Sequence, residues 1–409
     1  MSPNNDLPPE LREIALSLSR RGFMRGVGAT GAAVAGAGLL AACGTSGKSN
    51  TGASAPSAAP STPDLSDTDK VINFSNWQLY IDISDTNKND HPTFDEYTKK
   101  TGVKVNYAED ILDNESYYAK LAPQLKAGQD AGHDLVVLTD FMAGRMIRQG
   151  LVQKINKDNT PNFPKNLVAA LASPEFDKTR EFTAPWQSGL TGMAYNKKLT
   201  GKVNSVTELL TRADLKGKVT CLTEMRDTIG LIMLDQGKDP AKFTDADYDA
   251  AIAMLQKAVD SKQIRQFTGN EYSQGLAKGD ISACLAWSGD VIQLQADNPD
   301  IEFVAPEAGL MLWSDNMQIP IKAQHKKNAE LLMNFYYDPA MAAQLAAYVN
   351  YICPVEGAKE EMLKIDKTLA ANELIFPSAD TLAKTHIFMG LDTVQEAKYK
   401  EQFNTVTGA

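Results

Sequence analysis

Short apolar runs alternate with amphipathic stretches along this chain, and the same alternation is written twice. Val71-Ile72-Asn73-Phe74 reads as a strand, and the stretch after it closes at Lys99-Lys100-Thr101-Gly102. Val103-Lys104-Val105-Asn106-Tyr107 is a second strand by its period of two. Asn114 is the expected N-cap of a helix carrying Tyr117, Tyr118, Leu121 and Leu125 at helical spacing. Asp134-Leu135-Val136-Val137-Leu138 is a buried strand, and a short helix from Phe141 stops at Gly150. The pattern restarts with strands at Lys218–Leu222 and Ile281–Ala286, and with helices over 228–236, 245–261 and up to Gln293. Two β-α-β units imply an α/β fold with two lobes and a cleft between them. In open α/β sheets, ligands collect beyond the carboxyl ends of the strands.

The N-terminus carries an address. Ser19-Arg20-Arg21-Gly22-Phe23-Met24-Arg25 has the form of a twin-arginine export signal. Residues 26–42 are uncharged but rich in Gly and Ala, too short and too weakly apolar for the ~20-residue span a bilayer needs. They suit a cleaved signal better. Leu40-Ala41-Ala42-Cys43 looks like a lipoprotein processing box, with Cys43 as the lipidated residue. Gly44 to Asp69 is mainly Gly, Ser, Ala, Thr and Pro, the composition of a flexible tether.

Charge and residue usage exclude several functions. The chain has 41 basic and 51 acidic residues. Cleavage before Cys43 removes Arg12, Arg20, Arg21 and Arg25 with Asp6, Glu10 and Glu13, leaving 37 against 48. No basic excess remains to neutralise phosphates, so nucleic acid is not expected as a partner. Beyond Cys43 only Cys221, Cys284 and Cys353 remain, with no C-x-x-C pair. A Cys221–Cys284 disulfide is open to an exported protein, but buried small side chains are the favoured reading. His91, His133, His325 and His386 are far apart and form no H-E-x-x-H, so no metal centre or cofactor is expected.

What stands at the expected strand ends is more specific. Trp77 and Tyr80 follow the first strand, and Thr139 the third. The second unit offers Glu224 and Asp227, then Trp287 and Asp290. Trp313 and Asp315 lie near the return between lobes, and Tyr351 follows later. Each also has a purely structural reading. Asp227, Asp290 and Thr139 fit as helix caps, Glu224 as a partner of Arg226, Asp315 as a turn residue, and the aromatics as core. Their shared placement favours a site. Aromatic walls beside carboxylates suit a flexible cation such as a linear polyamine. Each cation–π contact contributes about 0.5–2 kcal/mol, and each charge-assisted hydrogen bond about 1.5–3 kcal/mol.

The segments Asn76-Trp77-Gln78-Leu79-Tyr80-Ile81, Asn114–Leu121, Asp134-Leu135-Val136-Val137, Trp287-Ser288-Gly289-Asp290 and Trp313-Ser314-Asp315 with Ile319-Pro320 occur in one order. In that order the chain resembles the spermidine/putrescine-binding proteins of ABC importers. The resemblance implies a two-lobed type II periplasmic-binding-protein fold, a polyamine ligand, and a permease with its ATPase as partners. It further implies that Trp77, Tyr80, Thr139, Glu224, Asp227, Trp287, Asp290, Trp313, Asp315 and Tyr351 contact ligand. Phe141 stands where the family often has tyrosine, the stretch Asp82–His91 is longer than usual, and no amide counterpart occurs around His386-Ile387-Phe388. The expected organisation is a signal over 1–42, a tether over 43–69, and a first lobe from 70–185 with about 314–350. Residues 186–313 form the second lobe, and 351–409 pack on both. The expected role is capture and delivery without catalysis at the outer face of the membrane. Another cationic amine or amino-acid-like solute in the same fold is the first alternative. A hydrolase using paired carboxylates such as Glu224 and Asp227 is the second, although no G-x-S-x-G or nucleophile with its base is present.

Overall fold

In the computed structural model, residues 62–84, 86–111 and 113–408 are described. The signal, Cys43 and most of the tether lie outside them. Residues 62–69, counted with the tether above, are docked on the fold. The Leu65 amide donates to the Gln324 carbonyl, the Ser66 hydroxyl accepts from the Asn328 amide, and His325 bridges Asp69 and Asp134. Polar composition there serves specific hydrogen bonds, which is why it reads as linker from sequence.

The strands are β1 (Val71–Trp77), β2 (Lys104–Ile111), β3 (Leu135–Thr139), β4 (Ala184–Asn196), β5 (Val219–Leu222), β6 (Ile264–Thr268), β7 (Ala283–Trp287), β8 (Ile301–Val304), β9 (Leu310–Gln318) and β10 (Thr385–His386). The main order is β2-β1-β3-β9-β4-β7-β5-β6. β1 pairs in parallel with β2 and β3, and β5 pairs in parallel with β6 and β7. Each unit thus places its first strand between the next two, which opens a crevice where the chain order reverses. β4 and β9 run antiparallel to each other and cross between the units. The first half of β4 lies against β9 residues next to β3, and its second half pairs with β7.

Two main cores correspond to the two lobes. One gathers Ile72, Phe74, Tyr97, Trp186 and Tyr336; the other gathers Cys221, Ile229, Tyr248, Leu285 and Tyr399. The C-terminal stretch is shared between them. Tyr351 to Ile375 join the first core, whereas Phe388, Leu391, Tyr399, Phe403 and Val406 join the second.

The helices include, in chain order, α1 (Pro92–Thr101), α2 (Asn114–Lys126), α3 (Asp140–Arg148), α4 (Met225–Asp235), α5 (Asp245–Asp260), α6 (Tyr272–Lys278), α7 (Ser288–Asp297) and α8 (Thr393–Thr407), of which α2, α3, α4, α7 and α8 supply cleft residues. α5 starts with a reciprocal capping box between Thr244 and Asp247, a signature that fixes its N-terminus. The expected cap of α2 is corrected by one residue. Asp113 accepts from the Ser116 amide at 2.8 Å, and Asn114 is the first helical residue. Its side chain is taken instead by Thr139, donating to Oγ1 at 2.9 Å and accepting from the amide at 3.1 Å. Cys221, Cys284 and Cys353 are buried free thiols, so Cys221 and Cys284 are not joined. Burial pushes the Cys221 thiol up to about 12, which keeps it protonated and inert.

Candidate functional site: a carboxylate and aromatic cleft

All ten candidate residues line a single cleft of about 1590 Å³ between the lobes. Each arrives there for a local reason. Trp77 ends β1, Thr139 ends β3 and Trp287 ends β7, the positions at which parallel strands release their side chains toward a crevice. Glu224 and Asp227 bracket the start of α4, and Asp290 lies in the first turn of α7. Trp313 and Asp315 sit inside β9, on the crossing. Asp315 is therefore a strand residue and not the end of a turn.

The cap readings are corrected as well. Glu224 is the N-cap of α4, accepting from the Arg226 amide at 3.4 Å. Asp227 and Asp290 stand two residues beyond the first residue of their helices, and their carboxylates turn elsewhere. Asp227 accepts from the Trp287 indole at 2.8 Å. Asp290 accepts from the Tyr351 and Tyr272 hydroxyls, both at 2.8 Å, and from the Asn270 amide at 2.9 Å. Thr139 holds the cap position of α3 but makes no side-chain cap bond. It donates to Asp315 at 2.7 Å, and Tyr80 donates to the other Asp315 oxygen at 2.9 Å.

Four of the five aromatic candidates form one run of ring contacts. Tyr80 meets Tyr351 edge to face at 5.4 Å, Tyr351 meets Trp313 at 5.6 Å, and Trp313 meets Trp287 at 6.5 Å. Two glycines make room for this run. A Cβ on Gly189 would lie 2.3 Å from the Trp313 ring, and one on Gly289 would lie 2.6 Å from the Tyr351 ring. The Trp313 indole is further fixed by donating to Thr191 at 3.0 Å, and the Trp77 indole by donating to the Val137 carbonyl at 3.1 Å.

Burial dominates the electrostatics. It pushes Asp315 up to about 7, against the opposing bonds from Thr139 and Tyr80 and with Asp140 and Asp227 adding to the rise. Burial likewise pushes Asp227 up to about 6 and Glu224 up to about 7, with nearby Arg226 pulling both back. The phenols of Tyr80, Tyr272 and Tyr351 are raised well above their ordinary value by burial and adjacent carboxylates, so they remain donors. A cation entering here would meet carboxylates desolvated in advance and held by neutral donors.

Sequence reasoning missed several cleft residues. Asn270, which lines the cleft, and Tyr272, buried behind Asp290, follow β6, a strand whose Ile264-Arg265-Gln266-Phe267-Thr268 does not announce itself by alternation. Had that strand been read, the same strand-end criterion would have found both. Arg226 and Glu396 were missed as cleft residues as well. Arg226 pairs with Glu396 at 2.6 Å, so the purely structural reading of Glu224 as its ion-pair partner does not hold. Arg145 on α3 reaches Glu396 at 3.3 Å, and Lys400 on α8 reaches Glu115 at 3.0 Å. These pairs join the two lobes along one rim of the cleft. Among the described residues, no group of three His, Cys, Asp or Glu is placed to hold a metal ion. No helix among them is long and apolar enough to cross a membrane.

Comparison with known proteins agrees with this architecture. The spermidine/putrescine-binding periplasmic protein of Escherichia coli K12 is 26% identical over 318 residues, covering 77% of this chain and 86% of the relative. The putrescine-binding periplasmic protein PotF of the same organism is 29% identical over 335 residues, covering 77% and 85%. The solved PotD substrate-binding protein of Streptococcus pneumoniae superposes with a TM-score of 0.68 at 22% identity, covering 83% of this chain and 99% of that one. That likeness establishes the two-lobed periplasmic solute-binding fold. The family model for bacterial extracellular solute-binding proteins matches residues 93–377. With most of its length inside that match, and a cleft at the lobe junction, the chain belongs to the bacterial extracellular solute-binding proteins.

Proposed function

We propose that this protein captures a polyamine outside the cytoplasm and delivers it to an ABC importer, its permease and ATPase. The observation that carries the reading is the setting of Asp315 and Asp227. Both are buried, both accept hydrogen bonds from neutral Tyr, Thr or Trp donors, and both lie among aromatic rings. An ammonium would compensate each carboxylate, and the methylenes between ammoniums would lie along Trp287, Trp313 and Tyr351. Asp290, with Tyr272 and Tyr351, would order one end of the cation, and Trp77, Tyr80 and Thr139 the first-lobe wall. The relatives named for spermidine and putrescine support the same ligand class. A hydrolase finds less support, because Glu224 and Asp227 come from one helical turn and not from facing walls. The function needs binding and lobe closure, with no group turned over.

Anchoring belongs to the same proposal. The order of the arginine pair, the weakly apolar stretch and Cys43 supports twin-arginine export and lipidation. Replacing Cys43 by Ser should move the protein from the membrane fraction to the soluble one, and unchanged fractionation would reject the anchor. Titration calorimetry of the purified protein with putrescine, cadaverine, spermidine and spermine tests the ligand. The expected result is micromolar or tighter binding of at least one. Absence of heat with all of them, alongside binding of an amino acid, would overturn it.

A further inference from the structure

The Asp315 carboxylate is held through a relay that begins outside the ten candidate residues. Asp113 caps α2, which leaves the Asn114 side chain free for another task. Asn114 is only 3% exposed, and Thr139 engages its amide group at both ends. The Thr139 backbone N–H can only donate, and it donates to Asn114 Oδ1 at 3.1 Å. That bond fixes which way the amide points, so Nδ2 faces the Thr139 hydroxyl at 2.9 Å. Nδ2 can only donate as well. Thr139 Oγ1 therefore accepts there, and its own hydrogen is left for Asp315 Oδ1 at 2.7 Å.

A hydroxyl whose direction is set in this way favours a carboxylate over a carboxylic acid. A proton on Oδ1 would point at the hydrogen that Thr139 already directs there. Of the other ionisable groups around Asp315, the Tyr80 and Tyr351 phenols stay neutral, and Tyr80 donates to Oδ2 at 2.9 Å. Asp140 at the start of α3 and Asp227 on α4 press Asp315 toward protonation. Those two have donors of their own in Asn316, Ser314 and Trp287. The relay opposes their pressure. Resting on the polyamine reading above, we propose that Asn114 is a positioning residue: by fixing Thr139 as a donor it commits Asp315 to accept, and so to carry the charge a cation needs. Asn114 touches no ligand in this role and acts through Thr139 alone.

The test is a double-mutant cycle of Asn114→Ala and Thr139→Val in the full chain, with two readouts. The first is the pH titration of the Asp315 carboxyl carbon in the empty protein, followed by NMR with carbon-13 aspartate and assigned by its loss in Asp315→Asn. Asn114→Ala frees the Thr139 hydroxyl to accept, so the midpoint should rise by about 0.5–1 in pH, the weight of one hydrogen bond. The second is calorimetry with putrescine at pH 7, where affinity should fall about twofold to fivefold as the ionised fraction shrinks. In the Thr139→Val background Asn114→Ala should change neither. Asn114→Asp keeps the acceptor for the Thr139 amide and loses the donor, and it decides if Asn114→Ala does not fold. Its plain charge repulsion persists beside Thr139→Val, so the part of its effect lost there is the relay. An unmoved Asp315 midpoint, or the same Asn114 effect with and without the Thr139 hydroxyl, would overturn the proposal and leave polyamine binding standing. A coupled rise in the midpoint with no putrescine binding by any form would uphold the relay and reject the polyamine reading.

Discussion

Acidification should weaken ligand binding in a way the buried carboxylates fix in advance. A cationic ligand needs Asp315 ionised, and burial has pushed that group up to about 7. At pH 8 about ten molecules in eleven carry it ionised, and at pH 6 about one in eleven, by simple titration. The affinity should therefore fall about tenfold over those two pH units, equivalent to about 1.4 kcal/mol. Asp227, up at about 6, adds roughly a further factor of two, giving about twentyfold in all. Glu224 is left out because Arg226 already supplies a counter-charge beside it. The sign for the empty protein runs the other way. A group raised from 3.8 to about 7 binds its proton more tightly folded than unfolded, so stability falls as pH rises through that window. The rise in Tm produced by saturating ligand should accordingly grow from pH 6 to pH 8. Calorimetry across the range, repeated in buffers of different ionisation enthalpy, measures both the affinity and the protons released. In Asp315→Asn the pH dependence should shrink to about the twofold left by Asp227. Affinity flat within twofold from pH 8 to pH 6 in the wild type, or rising on acidification, would refute the reasoning.

Three further outcomes follow from particular contacts. Asp290→Asn loses a charge that holds the Tyr272 and Tyr351 hydroxyls and Asn270. Polyamine affinity should drop about tenfold or more, from a charge-assisted bond worth about 1.5–3 kcal/mol. Unchanged calorimetric affinity would return Asp290 to a structural role. Gly189→Ala places a Cβ against the Trp313 ring, so the indole must move. Thermal melting should show a loss of about 1–3 kcal/mol together with altered tryptophan fluorescence, as overpacking does, and a wild-type melt and spectrum would contradict the packing described. Cys221, Cys284 and Cys353 should resist a thiol reagent in the native protein and react after denaturation. Rapid native labelling of any of the three, read by mass spectrometry, would contradict their burial.

Much of the architecture was legible because parallel α/β units announce themselves. Apolar runs such as Leu135–Leu138 and capping signals such as Thr244 with Asp247 are local, and local signals survive in sequence. The crossing strands were not legible. β4 is buried along its whole length on both faces, so Ala184–Asn196 shows no alternation to read. Site residues at strand ends were accessible to the same logic, since their position follows from chain direction alone. What each carboxylate does was not accessible. Asp227 and Asp290 look like caps in sequence, and only the approach of Trp287, Tyr272 and Tyr351 from other elements shows where they point. Arg226 illustrates the limit best. Its partners Phe141 and Glu396 are remote in sequence, and no spacing rule connects them.

The most direct test of the account is a crystal structure of the protein grown with putrescine. The lobes should be closed, with ammonium nitrogens within hydrogen-bonding distance of the Asp315, Asp227 or Asp290 carboxylates and methylenes lying along Trp287 and Trp313. An empty cleft at saturating putrescine, or the diamine bound away from these carboxylates, would contradict it.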